Sequence, residues 1–368
     1  MDNQNTPQPR IIPMPVRKRM DYAQPKGLPV VNISFNESPF APTVDLLQAI
    51  DSATRQVNRY GSPDCDLLRD KLEQRFNVPA DNIICGNGSE ELLDVIGRAY
   101  ASAGDEILIP QYGYIQFPIV ARRVNATLVK AAEPELLTNV DHLLASVTEK
   151  TKIVFIANPN NPTGTMIPVQ ELERLAQQLP TNVLLVIDLA YAEFTGTAEE
   201  ALDYIQRTHL LVNLYSNVMV TRTFSKAYSL AGLRVGWCHA ARPMMDVLYA
   251  ARGMGTVNAA AQAAAVASLD DMVQMQKNVD LIRAERQRLS SALKSAGYQF
   301  AESETNFLLM TFPDANAQSA DDLAKALFDE AGILVNRTRE AGLEHYIRFS
   351  MALPEDNNRL LDFLVSYR

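Results

Sequence analysis

In the middle of the chain, short apolar runs alternate with stretches of helical spacing. The runs predict strands at 83–85, 106–109, 126–130, 153–157, 183–188, 218–221 and 235–238. Between them, segments such as 90–101 and 169–178 carry apolar side chains at three- and four-residue intervals, the spacing of one helix face. Alternation of this kind over residues 82–240 predicts an α/β fold with a mostly parallel sheet covered by helices on both faces.

After Asn258 the pattern changes. A long helical stretch reaches residue 296, short strands follow at 307–311, 333–336 and 347–350, and a terminal helix is expected over 355–367. This reads as a smaller α+β unit. The expected organisation is an N-terminal arm over 1–43 that joins the small domain, a large domain over 44–257 and a small C-terminal domain over 258–368. The opening stretch to Gly27 carries several prolines and the basic cluster Arg17-Lys18-Arg19, consistent with an extended arm or a solvated tail.

Composition narrows the class of protein. With 47% apolar and 21% charged residues among 368, the chain is expected to bury an enzyme-sized core rather than to stay disordered. Lys and Arg total 34 against 43 Asp and Glu, a net charge of −9, which favours neither nucleic acid nor an anionic membrane as partner. No apolar run approaches the ~20 residues that span a bilayer, and residues 1–10 lack the apolar centre of a secretion signal. The expected location is the cytoplasm. Cys65, Cys85 and Cys238 fall in no ligand pattern and read as reduced and structural. His142, His209, His239 and His345 are not spaced as a metal pair, so no metal site is expected.

Four segments place polar residues just beyond predicted strand ends, where open α/β sheets bind ligands. Gly86-Asn87-Gly88-Ser89-Glu90 follows a strand and opens a helix, which suits a phosphate, although such turns are often only tight connections. Asn158-Pro159-Asn160-Asn161-Pro162-Thr163-Gly164 carries two prolines that fix the backbone and aim the amide of Asn161. Asp188, with Tyr191 close behind, ends a very apolar strand. An anion there is costly unless it meets a cation, either a protonated ring nitrogen or a structural Arg or Lys. Last comes Thr221-Arg222-Thr223-Phe224-Ser225-Lys226, with Arg234 eight positions further on. It offers one imine-forming amine and two phosphate contacts.

Taken together, these segments resemble the signatures of the fold-type I, class I/II aminotransferases, with the histidinol-phosphate aminotransferases as the nearest branch. Asn36-Glu37-Ser38-Pro39-Phe40, Arg59-Tyr60, Val257-Asn258, Thr305-Asn306-Phe307-Leu308 and Ile347-Arg348-Phe349 extend the likeness over most of the chain. The resemblance implies pyridoxal 5'-phosphate held as an internal aldimine on Lys226, and transfer of an amino group between an amino-acid-like substrate and a 2-oxo acid. Lys226 would also shuttle the Cα proton, and Asp188 would pair with the pyridinium nitrogen. Asn161 and Tyr191 would bind the ring's phenolic oxygen, and Tyr112 would stack on its face. Gly88, Ser89, Glu90, Ser225 and Arg234 would hold the phosphate. Tyr60 would reach the phosphate of a neighbouring subunit, which implies a homodimer with shared active sites. Arg348 would grip the substrate carboxylate with its bidentate fork, and Asn36 is expected near the same substrate.

One departure concerns the substrate's side chain. The arginine usual in the histidinol-phosphate branch is Asn336 here, with Arg337 and Arg339 nearby, so a phosphate ester is expected only if Arg337 takes over that role. The arm differs too, with Tyr22 after Asp21 in place of the family's Pro-Tyr. Two alternatives stay open: elimination, cyclisation or oxidation on the same scaffold, and a non-catalytic module that responds to pyridoxal phosphate.

Overall fold

The computed structural model describes residues 27–367. Arg17-Lys18-Arg19 and Tyr22 lie outside the described residues. The described chain opens with strand β1 (Val31–Asn32) and helices α1 (Val44–Thr54) and α2 (Asp66–Phe76). Seven strands then build the main sheet: β2 (Ile83–Gly86), β3 (Glu106–Pro110), β4 (Thr127–Ala131), β5 (Thr151–Ala157), β6 (Leu184–Asp188), β7 (Val218–Thr223) and β8 (Gly236–Ala240). Their spatial order is β2-β8-β7-β6-β5-β3-β4, and β8 alone runs antiparallel to its neighbours. The mostly parallel α/β sheet expected from the sequence is therefore present.

The strands are apolar throughout because both faces are covered. On β5, Val154 and Ile156 belong to one core, while Ile153, Phe155 and Ala157 belong to the other. Helices α3 (Ser89–Tyr100), α4 (Gln116–Arg123) and α8 (Arg242–Ala251) cover one face with Leu92, Ile96, Val120 and Leu248. Helices α5 (Val140–Ala145), α6 (Val169–Gln178) and α7 (Ala198–Leu214) cover the opposite face, with α2. On α6 the buried stripe is Val169, Leu172, Leu175 and Ala176, the spacing that the sequence shows. Each fully buried aliphatic side chain contributes roughly 1.5–3 kcal/mol relative to an exposed one.

Beyond the sheet come α9 (Ala259–Asp270), α10 (Met272–Ser295), β9 (Gln299–Phe300), β10 (Phe307–Thr311), α11 (Ala317–Ala331), β11 (Ile333–Leu334), β12 (Asn336–Arg337), β13 (Ile347–Ser350) and α12 (Pro354–Ser366). A four-stranded antiparallel sheet has the order β12-β13-β10-β9, and β11 pairs in parallel with β1. The chain before α1 is thus tied to this second unit. At the end of α11, Gly332 has φ +67, and a Cβ there would meet the carbonyl oxygen of Pro29 at 2.7 Å, so glycine lets the arm lie close.

Three sequence expectations need correction. The long helix over 258–296 is two helices: Asp271 leaves helical geometry (φ −107, ψ 51) and caps α10 by accepting from the Gln274 N–H at 3.3 Å. Of the two, α9 packs against α1 and α2. The strand at 333–336 divides between two sheets, as β11 and β12. The last strand of the main sheet starts at Gly236 rather than 235, after Arg234 has taken a left-handed conformation at φ 56. Among the described residues, no helix is long and apolar enough to cross a membrane.

Candidate active site

The parallel strands β2, β3, β5, β6 and β7 deliver their following loops to the same edge of the sheet, and a cavity of about 440 Å³ opens there. Asp188 ends β6 and is buried; its Oδ1 accepts from the Thr221 hydroxyl on β7 at 2.8 Å. Burial pushes its carboxyl up to about 7, and the Glu90 charge adds to that, while the Thr221 bond and the Lys226 charge oppose it. Lys226 lies just beyond β7, in the same cavity, and its Nζ donates to the carbonyl of Phe35 at 3.2 Å. Burial, helped by the Arg348 charge, lowers its ammonium to about 8. A buried acid and a readily deprotonated amine therefore face one space.

Around them a hydrogen-bonded chain sets orientation. The Tyr191 hydroxyl accepts from Asn36 Nδ2 at 2.9 Å and from Asn161 Nδ2 at 3.4 Å. Burial pushes the phenol up to about 12, so it stays protonated at neutral pH. Arg348 donates from Nη1 to Asn161 Oδ1 and from Nη2 to the carbonyl of Ser34 at 3.2 Å, which fixes the guanidinium plane. Asn158 holds the loop that carries Asn161: its side chain donates to the Ile167 carbonyl at 2.8 Å and accepts from the Ile167 N–H at 2.9 Å. The peptide bonds before Pro159 and Pro162 are both cis.

The opposite end of the cavity suits an anion. Helix α3 begins at Ser89, directly after Gly88 at φ +82, and directs its free N–H groups and positive dipole end toward the cavity. A Cβ on Gly88 would lie 2.7 Å from Arg234 Nη2, and one on Gly236 would lie 2.5 Å from the Ser89 nitrogen. Arg234 donates to the Ser225 hydroxyl at 3.4 Å and to Glu90 Oε2 at 3.0 Å. Ser225 in turn accepts from the Thr223 hydroxyl at 2.9 Å.

The comparisons agree with this geometry. The sequence profile of the family described as aminotransferase class I and II matches residues 29–364. The chain belongs to that family. This aminotransferase is 35% identical over 358 residues to a histidinol-phosphate aminotransferase of Rhodospirillum centenum, covering 97% of both chains. It is 38% identical to one of Erythrobacter litoralis over 91% of this chain and 90% of that protein. Among solved structures, the histidinol-phosphate aminotransferase of Sinorhizobium meliloti in complex with pyridoxal-5'-phosphate superimposes with a TM-score of 0.85 at 29% identity, covering 91% of this chain and 90% of the other.

Most of the residues singled out by sequence line the aminotransferase cavity: Asn36, Ser89, Glu90, Asn161, Asp188, Tyr191, Ser225, Lys226, Arg234, Asn336 and Arg348. Four expected residues do not; one is Gly88, which precedes the lining residue Ser89 at the start of α3. Tyr112 is not among the lining residues; its hydroxyl faces Gly342, and its backbone N–H donates to Glu133 at 2.6 Å. Tyr114 lines the cavity instead and donates to Glu90 Oε1 at 2.6 Å. Arg337 faces away: its Nε donates to Asp321 at 2.7 Å and its Nη2 to the carbonyls of Ala317 and Glu344. Asn336 and Arg337 are adjacent on β12, so their side chains leave opposite faces and only one can meet the cavity. Tyr60 lies outside this chain's own cavity and is fully exposed, at 105%.

Sequence reasoning missed Tyr114, the side-chain role of Glu90, and Glu37 and Glu340, which also line the cavity. The Tyr112-Gly113-Tyr114 spacing held the signal for the first, since alternate positions past a strand end can exchange places in a turn. All three cysteines are buried and free, as expected.

Proposed function

We propose that this aminotransferase uses pyridoxal 5'-phosphate, attached through Lys226, to move an amino group from an amino-acid-like donor to a 2-oxo acid. The observation that carries this reading is the pairing of a lowered amine, Lys226, with a buried carboxyl, Asp188, in one cavity that also holds an anion cradle. The group fits the residues present. Burial raises Asp188 to about 7 with the Lys226 charge offsetting only part of the rise, and a ring N–H+ would restore its charge. The crowding at Gly88 and Gly236 marks a backbone that approaches Arg234 and the Ser89 N–H closely, as a small tetrahedral anion requires.

When bound, the cofactor supplies a protonated pyridine ring that accepts the electrons left at the substrate Cα. Asp188 would hold the proton on the ring nitrogen. Ser225, Arg234 and the N–H groups of α3 would anchor the phosphate. Asn161 and Tyr191 would donate to the ring's oxygen. Arg348, held by Asn161 and Ser34, would take the substrate carboxylate in a bidentate grip. Lys226 Nζ would take the proton from the substrate Cα and deliver it to the cofactor's aldehyde-derived carbon. A lysine lowered to about 8 suits that work, because its acid and base forms are both accessible near neutrality.

The test is to supply purified, cofactor-loaded protein with an amino donor and a 2-oxo acid. Transfer of the amine, with release of the donor's own 2-oxo acid, supports the proposal, and Lys226→Ala abolishes it. Release of ammonia, carbon dioxide or peroxide without transfer would favour elimination, decarboxylation or oxidation instead.

We also propose a homodimer and a cytoplasmic location. Tyr60, Val57 and Met254 are largely or fully exposed, and Arg252 donates to the carbonyl of Pro63 at 3.3 Å, so their two loops are neighbours. An apolar patch of this kind suits burial against a second copy. A fully active monomer in sedimentation would exclude the dimer, and cell fractionation reads the location.

A further inference from the structure

Two further carboxylates line the cavity with Asn336 of β12: Glu340, on the loop after β12, and Glu37, on the arm. The Glu37 charge is felt at Lys226, the reacting end. Asn336 sits directly across from Arg348 in the β12–β13 register, a cross-strand neighbour about 4.5–5.5 Å away between Cβ atoms. A substrate whose carboxylate is held by Arg348 therefore lies beside Asn336, with Glu340 on the loop just beyond. Glu340 is half-buried, and its Oε2 accepts from the Arg339 N–H at 2.9 Å, which steadies the carboxylate.

Among the described residues, the cations next to Glu340 along the chain are committed elsewhere. Arg337 is bonded to Asp321 and to the carbonyls of Ala317, Glu344 and Tyr346, on the other side of β12. Arg339 also pairs with Asp321, at 3.0 Å. Of the basic residues that line the cavity, Arg234 is tied to Glu90 and Ser225, and Lys226 and Arg348 serve the reacting end. The phosphate of an ester, at about −1.5 to −2 charge, would meet the Glu340 carboxylate and, among the described residues, no uncommitted cation beside it. Like charges set against each other are how a site rejects a ligand.

We propose that the amino donor is a dibasic L-amino acid, whose distal amine or guanidine is received by Glu340 while Arg348 takes its α-carboxylate. This inference rests on the transaminase reading above and specifies its substrate class. Its chemistry is that of the same amino transfer, with the distal cation bound and unchanged. Glu340 acts as a specificity residue through contact with the substrate's far end.

The experiment uses the cofactor-loaded protein and follows the donor half-reaction by absorbance. L-ornithine, L-lysine and L-arginine are compared with L-glutamate, L-leucine and L-histidinol phosphate. At least one dibasic donor is expected to exceed each of the other three in kcat/KM by about tenfold, the worth of a charged hydrogen bond. Glu340→Gln should lower the ratio of dibasic donor to leucine by about tenfold, mainly through KM. Glu340→Arg should invert the preference toward glutamate. Circular dichroism of the cofactor band confirms that both variants hold the cofactor as the parent does. A parent enzyme that prefers glutamate or the phosphate ester overturns the proposal and leaves the transaminase reading intact. So does a dibasic-to-leucine ratio unmoved by both variants. If none of the donors converts the cofactor, the transaminase reading itself fails, and this proposal with it.

Discussion

Burial lowers the Lys226 ammonium, and that has a pH signature measurable without any substrate. An ordinary lysine near 10.5 is only about 0.1% neutral at pH 7.5, whereas one at about 8 is about a quarter neutral. The nucleophilic form is thus enriched about 200-fold. Cofactor-free protein should capture pyridoxal phosphate at a rate that rises about tenfold per pH unit below 8 and levels off above it. The assay mixes the two for a fixed short time at each pH and traps the adduct with borohydride. The label on the Lys226 peptide is then weighed by mass spectrometry, with Nα-acetyl-lysine as the unperturbed control. Arg348→Met tests the cause. The guanidinium is the second contributor after burial, so its loss should move the midpoint upward while leaving it below 10.5. A parent midpoint near 10.5, or a label on another lysine, would refute the reasoning. So would a midpoint that Arg348→Met does not shift.

Two further predictions concern the core behind the site. Arg222 on β7 and Glu193 form a buried ion pair, and the Arg222 guanidinium lies 4.4 Å from the Phe76 ring centroid. Glu193→Ala should cost about 3–5 kcal/mol in urea unfolding by stranding the charge, whereas Arg222→Met with Glu193→Leu should cost much less; equal losses would show that the pair itself carries the stability. His209 and His239 share one Nδ1···Nδ1 hydrogen bond at 3.2 Å and leave both Nε2 atoms buried without partners. Burial holds His239 down to about 4 and His209 well below its ordinary value. For a depressed histidine the stabilisation is complete above the unfolded value near 6.5 and is lost as pH falls toward the folded one. His239 alone should therefore remove about 2 kcal/mol between pH 7 and 5. His239→Leu should flatten that slope relative to the parent, and an unchanged slope in urea titrations would contradict the assignment.

How much of this was legible in the sequence depended on how far apart the interacting residues lie. Asp188, Lys226 and the Asn161 turn stood out because each follows its own apolar strand, and a parallel sheet brings such ends to one edge whatever the details of the helices. The break at Asp271 was harder to see, because helical spacing resumes at once and only the non-helical cap residue Asp271, accepting from Gln274, separates two helices from one. The side taken by Arg337 was undecidable from spacing alone. Strand alternation says that Asn336 and Arg337 part company, but the choice between them is made by Asp321, on a different element.

The arm shows most clearly what a linear reading loses. Three consecutive residues touch three functional groups: Ser34 accepts from Arg348, Phe35 accepts from Lys226, and Asn36 donates to Tyr191. Asn36 does so at φ 56, a left-handed conformation that asparagine tolerates better than most residues, and its carbonyl accepts from Asn306 at 3.2 Å in the second unit. Two of the three contacts come from backbone carbonyls, so the identities of residues 34 and 35 carry no trace of them. The arm reaches this position because β1 pairs with β11 next to Gly332. The orientation of the Lys226 amine thus depends on a two-residue strand that packs against a distant part of the chain. The same pairing brings Glu37 into the cavity, where its charge opposes the lowering of Lys226, so the arm contributes both to aiming the reactive amine and to setting its charge.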